Sequence, residues 1–313
     1  MPSQAVLMPN WIGDLLLALS VAERTKTADR SDLSLVVPER LAGLTRLLSG
    51  LPVLPYRRSN RSDYRSSLRS VKSFSKLYVL PHSFSSALFA FLSRIPCRRG
   101  VSAELRGLLL TERLPLSIAS RSRHLTKEYS EVLETPFSDP ALWQGVPIKK
   151  SAAYAGRIAL CPGATYGPAK QWPYFDRLPA LFPDKRFVIL GDAGDAQAGH
   201  RIATSAPLPW SVQNLAGMTS LEAAAAIIAG ASVLVSNDSG LLHLAGYLGT
   251  PSVGIYGSTS SVWTRPLGGA VRIASDPCPC SPCYGRTCPR GDYHCLRNIT
   301  PETVAALAKE IIR

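Results

Sequence analysis

No apolar run in this 313-residue chain approaches the length of a membrane span, although 46% of its residues are hydrophobic. The amino-terminal stretch has no basic n-region, and Asp14 interrupts the apolar run from Trp11 to Val21. That pattern argues against a secretory signal, so a cytosolic protein is expected. Internal repeats and coiled-coil heptads are also missing. Acidic residues are scarce, with 22 Asp and Glu against 35 Lys and Arg, a net charge of +13. The deficit is uneven: residues 1–150 hold 22 basic and 12 acidic side chains, residues 151–313 hold 13 and 10, so the excess is +10 against +3. Such a field suits nucleic acid, an anionic membrane surface or an acidic substrate. No nucleic-acid motif accompanies it, and aromatics, at 8%, do not interleave with the charges. A nucleic-acid-binding protein with a metal-bound tail is therefore the less favoured alternative, and the arginines at 57, 58, 61, 65 and 69 read by default as a solvated face.

What the chain does contain is an alternation of β-prone runs and helical patterns over a length that suits two domains. Strands are expected at Ala5–Met8, Leu33–Val37 and Leu77–Leu80, each followed by a helix: Asp14–Arg24, Arg40–Leu48 and Ser83–Ser93. A second series begins at Arg157–Leu160 and continues through Phe187–Leu190, Val233–Val235 and Val253–Tyr256. The stretch Pro136–Ser151, rich in proline and polar residues without periodicity, is the expected linker between domains at 1–150 and 151–313. Thr219 to Glu222 fits a capping box for a helix ending at Gly230, and Thr300-Pro301 opens a final helix.

Three strand ends in this scheme carry residues suited to an anionic ligand. Ser236 to His243 reads Ser-Asn-Asp-Ser-Gly-Leu-Leu-His at a strand-to-helix junction, where the first helical amides lack partners and the dipole end is positive. Ser239 and Gly240 supply such amides, while Asp238 and His243 read either as ligand contacts or as an N-cap and a packed first turn. The loop Cys161 to Pro173 offers the Thr165 hydroxyl, small residues and the Lys170 cation, without the Gly-Lys-Ser/Thr ending of a Walker loop. At Gly191 to Gln197, Asp195 and Gln197 are placed to grip ribose hydroxyls, or only to start a helix. Earlier in the chain, Asp14 follows the first strand at a helix N-terminus; as a general base it gains from partial burial against Trp11, and as an N-cap it needs no chemistry.

The runs at 9–14 (Pro-Asn-Trp-Ile-Gly-Asp), 80–87 (Leu-Pro-His-Ser-Phe-Ser-Ser-Ala), 162–173, 214–217 (Asn-Leu-Ala-Gly) and 237–243, in this order, resemble bacterial lipopolysaccharide heptosyltransferases of glycosyltransferase family 9, in the heptosyltransferase II branch. The resemblance implies an α/β GT-B fold: two Rossmann-like doubly wound domains facing a cleft, the first binding acceptor and the second ADP-heptose, with the last helix free to pack back on the first domain. It also implies metal-independent, inverting transfer of heptose from ADP-L-glycero-D-manno-heptose to the inner core, or, as the alternative, transfer within the same family from another donor or to another acceptor. On this basis Asp14 is the expected general base. Thr165, Lys170, Asp195, Gln197, Asp238, Ser239, Gly240 and His243 are the expected donor contacts. Relatives often carry an acidic residue where this chain has Gln197, and the stretch from Tyr56 to Lys76 is unusually rich in Ser and Arg. The basic first half then suits a polyanionic lipid A–Kdo or heptosylated inner-core acceptor at the inner leaflet, with Arg98, Arg99, Arg106 and Arg123 as candidate contacts.

Five of the seven cysteines, Cys278, Cys280, Cys283, Cys288 and Cys295, crowd into 18 residues. In a reducing compartment such clustering points to metal more often than to disulfides. Yet the spacing fits no standard zinc module, and the resemblance brings related cysteines without a catalytic metal. Structural zinc and free or disulfide-prone thiols both stand as expectations, with an iron–sulfur cluster a distant third.

Overall fold

A computed structural model describes residues 3–27 and 33–312, which divide into two compact units, Met1–Asp139 and Pro140–Arg313. The expected linker does not run free. Trp143 donates its indole N–H to the Tyr247 carbonyl at 2.8 Å, the Val146 amide donates to the same oxygen at 3.1 Å, and the Ser151 amide reaches Ala226. Apolar burial of the Trp143 ring against Tyr247, centroids 5.0 Å apart, makes this stretch part of the second unit.

In the first unit β1 (Gln4–Leu7), α1 (Ile12–Thr27), β2 (Leu33–Pro38), α2 (Glu39–Leu48), β3 (Val53–Tyr56), α3 (Arg61–Ser70), β4 (Lys76–Val79), α4 (Phe84–Leu92), β5 (Cys97–Val101), β6 (Glu112–Leu114) and α5 (Leu125–Val132) follow one another. The strands form one parallel sheet in the order β3-β2-β1-β4-β5-β6. Burial on both faces explains why the central strands read as continuous apolar runs: Ala5, Leu7, Leu77 and Val79 are all 0% exposed. Leu7 lies opposite Val36 on one side and Val79 on the other, so strand order reverses between β1 and β4. Open α/β sheets bind ligands at the carboxyl ends of strands flanking such a reversal.

The second unit repeats the plan with β7 (Ile158–Cys161), β8 (Phe187–Ile189), α6 (Ala196–Ser205), β9 (Val212–Asn214), α7 (Leu221–Gly230), β10 (Val233–Asn237), α8 (Gly240–Leu248), β11 (Ser252–Tyr256), α9 (Ser261–Thr264), β12 (Val271–Ser275), α10 (His294–Arg297) and α11 (Pro301–Ile311). Its parallel sheet runs β12-β11-β10-β7-β8-β9, with the reversal between β7 and β10. In each unit the order is 3-2-1-4-5-6 by appearance, the classical dinucleotide-binding arrangement. No helix among the described residues is long and apolar enough to cross a membrane.

One local expectation shifts. The cap of α7 is Ser220, not Thr219: the Ser220 side chain accepts from the Ala223 amide at 3.2 Å. Val304, Ala305 and Ala308 of α11 enter the second unit's own core with Val253, Ile255 and Ala274. Its Thr300 cap and Pro301 start are as the sequence implies. Strands toward the sheet edges were the least visible. β3 contains Pro55, β5 carries Arg98 and Arg99 in mid-strand, and β6 and β9 span three residues each, too short for a period to register.

The start of α8 is held in place by close backbone packing farther along the helix. A Cβ on Gly246 would meet the Leu267 carbonyl oxygen at 2.7 Å and the Pro266 Cβ at 2.9 Å. Gly246→Ala is therefore expected to destabilise the second unit by about 1–3 kcal/mol, read as a lower denaturation midpoint, because rigid backbone cannot yield as a side chain would.

Candidate active site

Both faces of β10 are buried, and at its carboxyl end Asn237 and Asp238 are polar residues at 0% and 5% exposure. Burial of this kind requires partners. Asn237 finds them in the loop after β7: its Oδ1 accepts from the Trp172 amide at 3.0 Å, and its Nδ2 donates to the Pro162 carbonyl at 2.6 Å. One side chain thus ties both ends of the 162–172 loop to the neighbouring strand.

Asp238 is not the cap of α8. That position is Ser239, which makes no side-chain cap bond, and its hydroxyl pairs with Ser236 at 2.9 Å. The Asp238 carboxylate instead takes the Lys170 ammonium at 2.5 Å and the Thr259 hydroxyl at 2.6 Å on one oxygen, with His243 Nε2 3.8 Å from the other. Burial alone would raise this carboxyl; His243 and Lys170 outweigh it and hold the group well below the usual carboxylate range. A carboxylate so enclosed cannot itself meet a diphosphate. Its task is to fix a cation beside the uncapped N-terminus of a nine-residue helix.

Backbone shape in the loop serves the same end. Gly167 has φ of +141°, and a Cβ there would lie 2.5 Å from the Arg286 carbonyl. The chain from 276 to 293 thereby reaches the loop: Ala169 N–H donates to Arg286 O at 3.0 Å and the Tyr166 hydroxyl to Tyr284 O at 2.5 Å. Lys170 and Arg286 both lie over the Tyr166 ring. Thr165 is exposed in this loop. Asp195 closes a capping box, accepting from the Asp192 amide at 3.0 Å, and its carboxyl occupies the space that Cβ atoms on Gly163 and Gly191 would need. Burial raises it above its ordinary value, against the Asp192 amide bond that lowers it. Gln197 stands exposed in the first turn of α6. The structure thus joins Lys170, Asp238, Ser239 and His243 at one point and leaves the ribose pair in a structural and an exposed role.

At the switch point of the first sheet, Asp14 occupies the first turn of α1, half-buried. Trp11, expected to cover it, is itself 54% exposed. The β1–α1 loop is pinned by the Tyr56 hydroxyl on Asn10 Oδ1 at 2.8 Å and by Arg40 on the Asn10 carbonyl. Behind it the buried Tyr129 phenol is pushed far up by burial, and further by the charges of Asp14 and Glu128.

The four arginines expected to meet the acceptor are bonded within their own unit. Arg98 donates to Leu109 O and Ile95 O; Arg99 donates to Val132 O, Glu131 O and Glu112; Arg123 holds Glu131 with both terminal nitrogens. Arg106 is 2% exposed and donates to Pro81 O at 3.0 Å. Glu112, which also takes Lys76 and the Cys97 thiol, is lowered to about 2, with the thiol bond the largest cause, followed by Lys76.

The cysteines are free thiols. Cys278 and Cys280 sulfurs lie 3.3 Å apart, and Cys288 turns to Asp292. Among the described residues no three His, Cys, Asp or Glu side chains converge as a metal site requires, so the geometry does not gather the expected zinc set.

Comparison with known proteins agrees with this geometry. The sequence model of glycosyltransferase family 9 (heptosyltransferase) matches residues 63–294. Lipopolysaccharide heptosyltransferase 2 of Escherichia coli is 31% identical, with 86% of each chain covered. The structure of E. coli ADP-heptose lipopolysaccharide heptosyltransferase II superposes with a TM-score of 0.83 at 26% identity, covering 99% of this chain and 98% of that one. An E. coli heptosyltransferase solved with ADP shares the fold, with a TM-score of 0.76 at 17% identity and 98% and 99% coverage. Two Rossmann-like units of this kind, one with a cation fixed at a helix N-terminus, define a GT-B glycosyltransferase. The chain belongs to glycosyltransferase family 9.

Sequence reasoning missed Asn237 as a clamp and Thr259 as a ligand of Asp238. The first lay within a quoted motif; the second is 21 residues away on a different strand end, and no spacing signals it.

Asp238→Asn should cost about 3 kcal/mol of stability by leaving the Lys170 charge without its buried partner, read as a lower denaturation midpoint. Acid acts in the same direction. Because Asp238 and Glu112 titrate lower in the folded protein, their contribution is complete above the ordinary carboxylate range and lost as pH falls, for Glu112 toward about 2. Thermal melts of the wild type should drop through that window, and those of Asp238→Asn should drop less.

Proposed function

We propose that this enzyme transfers heptose from an ADP-activated heptose to the lipopolysaccharide inner core, in the manner of heptosyltransferase II, with inversion and without a metal ion. The observation that carries the reading is the Lys170–Asp238 pair at the open N-terminus of α8, in a chain so similar to a lipopolysaccharide heptosyltransferase. In this reading the second unit binds the donor and the first unit the acceptor, at the surface of the inner membrane, whose anionic leaflet attracts the basic half of the chain.

Chemically, Asp14 takes the proton of the attacking acceptor hydroxyl, and that oxygen bonds to the anomeric carbon as the bond to ADP breaks. A single displacement inverts the centre. Negative charge grows on the departing β-phosphate, where the Lys170 ammonium and the first amides of α8 stabilise it most in the transition state. Thr165 and Ser239 add hydroxyl contacts to the phosphates, and Gln197 with the remaining capacity of Asp195 contacts the ribose.

Steady-state assays with ADP-heptose and a heptose-truncated lipopolysaccharide acceptor test this directly. Asp14→Ala should lose transfer while keeping ADP affinity, and Lys170→Ala should weaken ADP binding by about tenfold or more. Turnover should persist in EDTA; ordinary turnover by Asp14→Ala would remove the general-base assignment.

A further inference from the structure

Strand β4 is the partner of β1 at the switch point of the first sheet, and the Leu80 amide continues the ladder onto Leu7 O at 3.3 Å. Two residues later comes His82, 40% exposed at its side chain, whose Nε2 lies 2.6 Å from Oε1 of Glu128. Glu128 belongs to α5 and is 3% exposed. A carboxylate only accepts, so Nε2 donates, and Nδ1 is left as the acceptor of the neutral ring.

The support beneath this imidazole is out of proportion to a surface residue. Arg106, 2% exposed, stands within the field of Glu128 and donates to the carbonyl of Pro81, the residue before His82. Two further guanidinium nitrogens of Arg106, Nε and Nη1, have no hydrogen-bond partner among the described residues. The Ser86 hydroxyl donates to the same Pro81 carbonyl at 2.8 Å. Burying a carboxylate and a guanidinium, the latter incompletely bonded, is costly. Here it immobilises one exposed ring from below, the arrangement by which supporting groups orient a side chain for a ligand. Asp14 shares the neighbourhood, since it and Glu128 both act on the Tyr129 phenol. At the same two strand ends Trp11 and Phe84 are 54% and 53% exposed, flat apolar faces of the kind that line sugar sites beside a few fixed polar groups.

We propose that His82, oriented by Glu128, hydrogen-bonds a hydroxyl of the acceptor sugar, and that Trp11 and Phe84 complete a pyranose subsite at the carboxyl ends of β1 and β4. Glu128 and Arg106 act as positioning residues and do not touch the sugar. The proposal rests on the acceptor reading of the first unit, and its failure is separable from failure of that reading. If the wild-type protein does not transfer heptose to truncated lipopolysaccharide, the reading falls; if it does, the variants decide the subsite.

The test is the separate determination of acceptor and donor constants for His82→Ala, Glu128→Gln and the double variant, with thermal midpoints as a folding control. His82→Ala is expected to reduce acceptor kcat/KM by about tenfold or more while leaving the ADP-heptose KM and the midpoint unchanged. Glu128→Gln should shift the same constant in the same direction, and the double variant should be no worse than His82→Ala, because Glu128 acts only through the ring. Wild-type acceptor constants in His82→Ala, or equal loss for donor and acceptor, overturn the subsite. Full additivity in the double variant overturns the positioning role of Glu128.

Discussion

Removing a carboxylate and an ammonium from water is unfavourable unless each finds good partners, and the second unit of this enzyme is organised around meeting that condition for Asp238 and Lys170. The carboxylate comes from the end of β10 and the ammonium from the loop after β7, so the pair spans the reversal of the second sheet. Thr259 on the same oxygen and His243 beside the other supply the bonding that the buried charge demands. Asn237 holds the loop so that Lys170 arrives in register. Packing of α8 against residues 266 and 267 then sets where the open helix amides lie relative to the ammonium. A cation and a dipole end fixed before the ligand arrives need no reorganisation when charge develops on a leaving phosphate.

The first unit uses the same topology with different chemistry. Its reversal lies between β1 and β4, and the residues just past those strands are a carboxylate, an imidazole and two exposed aromatic rings. Here the buried charges, Glu128 and Arg106, stand behind the surface and brace it. One fold presents a fixed cation in one unit and a carboxylate, an imidazole and exposed rings in the other because parallel sheets deliver loops of unrelated sequence to equivalent positions.

Charge composition does not by itself assign individual contacts. A positive first half suggests arginines reaching outward to an anionic acceptor, yet Arg98, Arg99 and Arg123 bind carbonyls and carboxylates of their own unit. The guanidinium offers five donors, and a nearby backbone oxygen competes for them as well as any ligand. Arginines on β5 are held by the backbone carbonyls of Ile95 and Glu131 and by the Glu112 carboxylate, from elements that a sequence places only loosely. Exposed basic residues do recur on α3, where Arg61, Arg65 and Arg69 lie four apart on an exposed face.

Sequence alone determined the α/β class, the central strands, the cap of the last helix and the strand-end loops that carry Asp14, Lys170 and Asp238. Those features depend on local propensity, on runs of apolar residues and on motifs contiguous in the chain, all of which survive projection onto one dimension. Tertiary structure decided the rest. It showed that Asp238 grips Lys170 rather than capping a helix, that Thr259 joins them, that Asp195 is engaged in a capping box, and that Glu128 stands behind His82 46 residues away. Each of these is a choice of partner made across the sheet by burial. A buried polar group must take whichever partner folding brings within reach, and sequence spacing holds no record of that distance.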